Sequence, residues 1–225
     1  MKEKKGHMML INNSSNFREI AIGNISPGLL YRSNHPISGE GQVKEIILAS
    51  NIAQIKTIIN LCDSYYSLQS KIVNCPWYKK KFDENSVIAL NVNMQFDIME
   101  KTFLRKMGDA MTFMIDHEPP YLIHCIAGID RTGFLSVLIE SFMGAKYDDM
   151  VKDYVLSYVN NSDYSHNDHK NGSIFLDNLF SKMKGNLFNS NDEPQLLAIK
   201  YLKEKVKIND NTLLVLEKKL STRGG

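Results

Sequence analysis

The stretch Tyr121-Leu122-Ile123-His124-Cys125-Ile126-Ala127-Gly128-Ile129-Asp130-Arg131-Thr132-Gly133 decides how this chain is read. Its apolar opening suits a buried strand that delivers a cysteine. A tight loop follows, and Arg131 then opens an amphipathic helix marked by Phe134, Leu135, Val137, Leu138 and Phe142. Such a loop turns main-chain N–H groups inward, and the helix adds the positive end of its dipole at the same point. The segment is therefore built to hold an anion. Arg131 closes the ring with a planar fork that matches two oxygens, and the same field favours the thiolate form of Cys125. Gly128 occupies a turn position where a Cβ would obstruct the anion or force positive φ. A buried structural cysteine before an ordinary helix start would explain Cys-x5-Arg alone, but not the whole decapeptide in this context.

A thiolate beside an anion cradle suits two-step cleavage of a phosphate monoester. Cys125 attacks phosphorus while an acid protonates the leaving oxygen, and water then hydrolyses the phosphocysteine. Arg131 and the loop from Ile126, Ala127, Gly128 and Ile129 to Thr132 and Gly133 bind the phosphoryl oxygens, with no metal and no cofactor called for. Thr132 can also hydrogen-bond the cysteine sulfur or simply pack in the first helical turn. His124 is read as ordering the loop rather than titrating.

The loop resembles the signature of the protein tyrosine phosphatase superfamily in its His-Cys-x-Ala-Gly-x-x-Arg-Thr-Gly form. Within it, the chain is most similar to bacterial tyrosine phosphatases that also accept phosphoinositides. Asn16-Phe17-Arg18-Glu19, Pro27-Gly28-Leu29-Leu30-Tyr31-Arg32-Ser33, Ile58-Ile59-Asn60-Leu61-Cys62 and Asp153-Tyr154-Val155-Leu156-Ser157 resemble further segments of that family. The resemblance implies a phosphorylated protein or a phosphoinositide as substrate partner. Many phosphoinositide-active members carry Lys where this chain has Ile129, so a strong preference for polyphosphorylated inositol is not expected. An inositol polyphosphate phosphatase and a phosphate-binding pseudophosphatase are the alternatives; intact Cys125 and Arg131 weigh against the second. Sulfur transfer of the rhodanese type does not suit the Arg131-Thr132-Gly133 ending.

The acid must come from elsewhere. Asp97 stands between an apolar strand pattern and a helix, where the resemblance places the family's mobile acid loop, although the usual Pro beside it is missing. A helix-preceding cap is its alternative role. Asp130, inside the loop, is the rival; it would equally complement the helix dipole. Asp63 is third. The resemblance also suggests Cys62 as a redox partner that could trap an oxidised Cys125 as a disulfide. Cys75 is read as incidental.

At 225 residues and 43% hydrophobic content, the chain can bury a sizeable core. A net charge of +2 does not argue for nucleic acid. No apolar run reaches the ~18 residues of a spanning helix, and the N-terminus lacks a secretory pattern. Three cysteines suit a reducing compartment, so a cytoplasmic location is expected, with signal-independent export left open. Residues 1–15 are read as a flexible N-terminal segment and 16–225 as a single domain; no oligomeric state follows.

Buried strands are expected at Ile55–Leu61, Val87–Val92 and Tyr121–His124. An amphipathic helix is expected over 101–116, with Phe103, Met107, Met111 and Met114 facing the core. Further helices are expected near 131–143, 147–159, 173–184, 193–206 and 210–220. Strands separated by helices predict an α/β fold with a mostly parallel central sheet flanked by helices and the loop at its carboxyl edge. Trp77-Tyr78-Lys79-Lys80-Lys81 reads as a solvated charged loop, and His166, Asp168 and His169 as part of a polar loop rather than a metal cluster.

Overall fold

The computed structural model describes residues 15–38, 42–160 and 168–221. The flexible segment expected at 1–15 therefore lies outside the described residues, Ser15 apart. At the centre is β5 (Tyr121–His124), buried along its whole length. It belongs to a five-stranded sheet with β1 (Arg18–Glu19), β2 (Leu30–Ser33), β3 (Thr57–Asn60) and β4 (Val87–Ala89), in the order β1-β2-β5-β3-β4. Only β1 is antiparallel to its neighbour. Ser33, His124 and Asn60 stand side by side at the carboxyl edge. The segments after them, carrying His35, Cys125 and Cys62, thus leave the sheet at one place.

Alternate residues of the parallel strands serve the two faces of the sheet. Leu30, Ile59, Tyr121 and Ile123 join one apolar cluster; Tyr31, Ile58 and Leu122 join another. The first face is covered mainly by α4 (Lys101–Asp116) and α5 (Asp130–Phe142), with α6 (Tyr147–Val159), α7 (Asp168–Lys184), α8 (Pro194–Tyr201) and α9 (Asp210–Ser221) around them. Phe103, Met107, Met111 and Met114 of α4 are all buried, as their spacing requires. Glu100 caps that helix by accepting from the N–H groups of Thr102 and Phe103.

The second face is covered by segments that sequence patterning left undefined. These are α1 (Gln42–Ile52), α2 (Tyr65–Lys71), a 3₁₀ turn (Ile72–Asn74) and α3 (Pro76–Asp83). Ser64 starts α2 through reciprocal bonds with Ser67, and Pro76 opens α3. The Trp77–Lys81 patch is therefore helical rather than a loop. The strand expected at Tyr121–His124 forms with those bounds, whereas those expected at Ile55–Leu61 and Val87–Val92 are longer than β3 and β4: β4 stops before Asn91, whose φ of +46° turns the chain toward the site. The helix expected over 193–206 is α8 followed by a π turn at Leu202–Val206. Asp168 and His169 begin α7 instead of lying in a loop, and His166 falls outside the described residues.

Candidate active site

The loop after β5 is held open from behind. The carbonyl of Ile126 accepts from the His35 N–H at 3.0 Å, that of Ala127 from Asn16 Nδ2 at 3.3 Å, and that of Gly128 from Arg32 Nη2 at 2.9 Å. In a trans peptide the carbonyl and the following N–H point in opposite directions. Three successive carbonyls drawn outward therefore turn the N–H groups of Ala127, Gly128 and Ile129 toward the concave side, making an anion nest. Gly128 has a φ of +66°, and a Cβ there would meet the Ser33 carbonyl oxygen at 2.6 Å. Glycine is thus required by the end of β2 rather than by the anion. Gly133 is buried inside α5, where a Cβ would meet the Tyr154 ring at 2.5 Å; its role is helix packing.

Cys125 lies at the root of the loop, 3% exposed. Arg131 is buried in the first turn of α5 and donates from Nη1 to the Val92 carbonyl at 3.0 Å. Its Nε, together with Thr132 Oγ1, is buried without a hydrogen-bond partner among the described residues. A buried donor with no acceptor is costly unless a ligand completes it.

A cavity of about 730 Å³ opens over this region, and its lining includes Arg131, Cys62, Asp97, Glu100, Lys106 and Phe96. The structure thus brings Asp97 and Arg131 together. Asp97 is 61% exposed and accepts from the Met99 N–H at 3.1 Å, with Lys182 at 3.8 Å. Its segment is pinned on both sides: Phe96 stacks on Phe103 at 5.0 Å, and Tyr201 donates to the Ile98 carbonyl. Asp130, Ile126, Ala127, Ile129 and Cys125 do not line this cavity. Asp130 is half-buried at the first residue of α5; Ile126 and Ala127 are exposed. Ile129 is 6% exposed. Beside Arg131, the cleft holds the cation Lys106, which sequence reading missed because only the face of α4 reveals it.

Cys62 sits within the cleft as a free thiol, donating to Asn60 Oδ1 at 3.3 Å. Burial, the Asp63 carboxylate and Cys125 push it up to about 12, so it is a thiol at neutral pH. Asp63 is buried. Burial opposes its ionisation, but hydrogen bonds from His35, Asn60 and Lys71 outweigh that and hold it far below the ordinary carboxylate range. It cannot supply a proton at neutral pH. His124 Nε2 meets the Tyr78 hydroxyl at 2.8 Å, and burial, with His35 beside it, keeps the ring neutral. One ring nitrogen each of His35 and His124 and the sulfur of Cys62 lie within 4.8 Å of one another. Both rings are already engaged, His35 with Asp63 and the Ile37 N–H, His124 with Tyr78 and the Cys125 carbonyl. Lys79 and Lys80 of α3 pair with Asp83 and with Glu84 just after it, and neither lysine lines the cleft. No described helix is long and apolar enough to cross a membrane.

Residues 9–222 match the family described as the tyrosine phosphatase family. Among solved structures, the chain is similar to the Siw14 catalytic core, with 15% identity, a TM-score of 0.42, and 81% of this chain and 94% of that one covered. A second similar structure is the core catalytic domain of the S. cerevisiae PP-IP phosphatase SIW14 in complex with citrate. It has 17% identity, a TM-score of 0.38, and 75% and 94% coverage. No curated protein matches the chain.

Proposed function

The chain belongs to the tyrosine phosphatase family, and from that premise we propose that it hydrolyses phosphate monoesters through Cys125, with protein phosphotyrosine as its preferred substrate. The observation that carries this reading is the loop whose three carbonyls are held outward beside the uncommitted Nε of Arg131. The loop amides and Arg131 bind the phosphoryl oxygens. The Cys125 thiolate attacks phosphorus, the S–P bond forms and the P–O bond to the leaving group breaks. Asp97 gives its proton to the departing oxygen. In the second step water attacks phosphorus, Asp97 takes the proton, and orthophosphate leaves as the thiolate returns.

The cleft favours a phosphotyrosine side chain over a polyanion. Arg131 is taken by the scissile phosphate and Glu100 offsets Lys106, so little positive charge remains for a second phosphate. Phe96 and Phe103 add apolar wall for an aromatic leaving group. An inositol polyphosphate substrate has one point in its favour, since Lys182 stands at 3.8 Å from Asp97. The test is kcat/KM for phosphotyrosine peptides, phosphoserine peptides and inositol phosphates, with and without EDTA, beside Cys125→Ser. Phosphotyrosine first, with no EDTA effect and no turnover by Cys125→Ser, is expected. Substantial activity in Cys125→Ser removes the mechanism; inositol phosphates ranking first removes the substrate assignment.

A further inference from the structure

Segments far apart in the sequence meet behind the anion loop. Arg18 from β1 and Arg32 from β2 both reach Asp153 of α6: Arg18 Nε to Oδ1 at 2.8 Å and Arg32 Nη1 to Oδ2 at 2.5 Å. Arg18 also donates to the Ser157 hydroxyl at 2.8 Å and to Asn16 Oδ1 at 2.7 Å. Burial opposes ionisation of Asp153, but the two guanidinium groups hold it at about 2, so it is a carboxylate. Glu140 of α5 is buried nearby, and neither of its carboxyl oxygens has a hydrogen-bond partner among the described residues. Burial, helped by Asp153, pushes its carboxyl well above the usual range and keeps it neutral. Two cations and one anion therefore share this interior.

Arg32 is 0% exposed. Replacing a buried ion pair by apolar side chains of similar volume is often neutral or stabilising, so stability alone is a weak reason for a guanidinium here. Its other hand supplies a better one. Nη2 donates to the Gly128 carbonyl, at the residue whose φ is +66°. Of the three bonds that draw the loop carbonyls outward, this is the only one from a charged donor, and Asp153 fixes its direction.

We propose that Arg32 is a positioning residue of the phosphate site: it holds the Gly128 carbonyl against the protein body and so aims the Ile129 N–H at the anion, with Asp153 holding Arg32 in place. This rests on the phosphatase reading above. Arg32 does not touch substrate; it sets the geometry of a donor that does. A lysine at this position cannot bond Asp153 and the Gly128 carbonyl as one planar fork.

The experiment measures the Kd of orthophosphate for the full chain carrying Cys125→Ser, alone and with Arg32→Lys or Tyr121→Phe. Tyr121→Phe removes the buried bond to the Met114 carbonyl, at the end of β5 away from the loop, so both added substitutions lower Tm. Arg32→Lys raises Kd by about tenfold, the scale of one charge-assisted hydrogen bond, whereas Tyr121→Phe leaves it within about twofold. The carbonyl carbon resonance of Gly128 moves only in Arg32→Lys. A folded Arg32→Lys protein that binds orthophosphate as its parent does overturns the proposal. Should that variant fail to fold, Asp153→Asn replaces it: an increase in Kd supports the positioning role and an unchanged Kd overturns it. A Cys125→Ser parent that binds no orthophosphate removes the phosphatase reading first, and the two failures are thereby distinguished.

Discussion

Arg131 donates from Nη1 to the main-chain carbonyl of Val92 at 3.0 Å. Val92 is followed by the segment that carries Asp97, so the arginine at the end of the anion loop is also a fastening for the proposed acid. Misplacement of either half of the site disturbs the other, because one guanidinium serves both. Nη1 is committed to this bond, which leaves Nε and the second terminal nitrogen for an anion.

Arg131→Lys therefore loses two things at once, the planar fork and the tie to Val92. Turnover of p-nitrophenyl phosphate should fall by about 10²–10³-fold, the scale of losing one preorganised donor or more. Steady-state kinetics checks this, and a near wild-type rate would mean that the anion is held by other groups.

Asp97→Asn should slow hydrolysis of an alkyl phosphate by about 10²–10⁴-fold and that of p-nitrophenyl phosphate far less, since an activated leaving group needs little proton transfer. Asp130→Asn should show no such contrast, because Asp130 opens α5, where its carboxylate complements the helix dipole. If the leaving-group dependence follows Asp130 instead, the acid belongs to the loop.

Lys106→Met should reduce kcat/KM severalfold on a bis-phosphorylated inositol and much less on a phosphotyrosine peptide. The contrast should shrink as salt is raised, since Lys106 is largely solvated and its field is screened. Equal losses on both substrates would show that Lys106 acts through its bond to the Asn91 carbonyl rather than through its charge.

Glu140→Gln tests the buried cluster by pH. Burial raises the folded-state value of this carboxyl above its unfolded one. Its contribution to stability is thus fully present below the unfolded value and is lost as pH rises toward the folded one. A neutral amide suffers no such loss. The Tm of Glu140→Gln minus that of the wild type should therefore increase from about pH 4 to about pH 8. A flat difference would mean that Glu140 is ionised in the native protein.

What the sequence made legible was local. Cys125, Gly128 and Arg131 stand within one turn and one loop, so their spacing carries their geometry. The methionine stripe of α4 repeats with the helical period, and its burial follows. Arg32 and Asn16 were hidden for the opposite reason. They reach the loop from far earlier in the chain, and such contacts leave no periodic trace. β2 was obscured because Arg32 and Ser33 are polar residues inside a fully buried strand. The Ser64 and Pro76 start signals for α2 and α3 were present, but short helices rich in Tyr, Ser and Lys show little apolar period.

The parallel order β2-β5-β3 sets the timing of assembly. Tyr121 must find both Leu30 and Thr57, each from a distant part of the chain, and such non-local pairings fold slowly. The nest borrows Asn16, Arg32 and His35 from the N-terminal part, so it exists only once those strands have docked. An anion that binds it recognises the finished fold and no earlier species. Orthophosphate in a refolding mixture should then draw material toward the native state by mass action, while leaving the rate of the preceding strand docking unchanged.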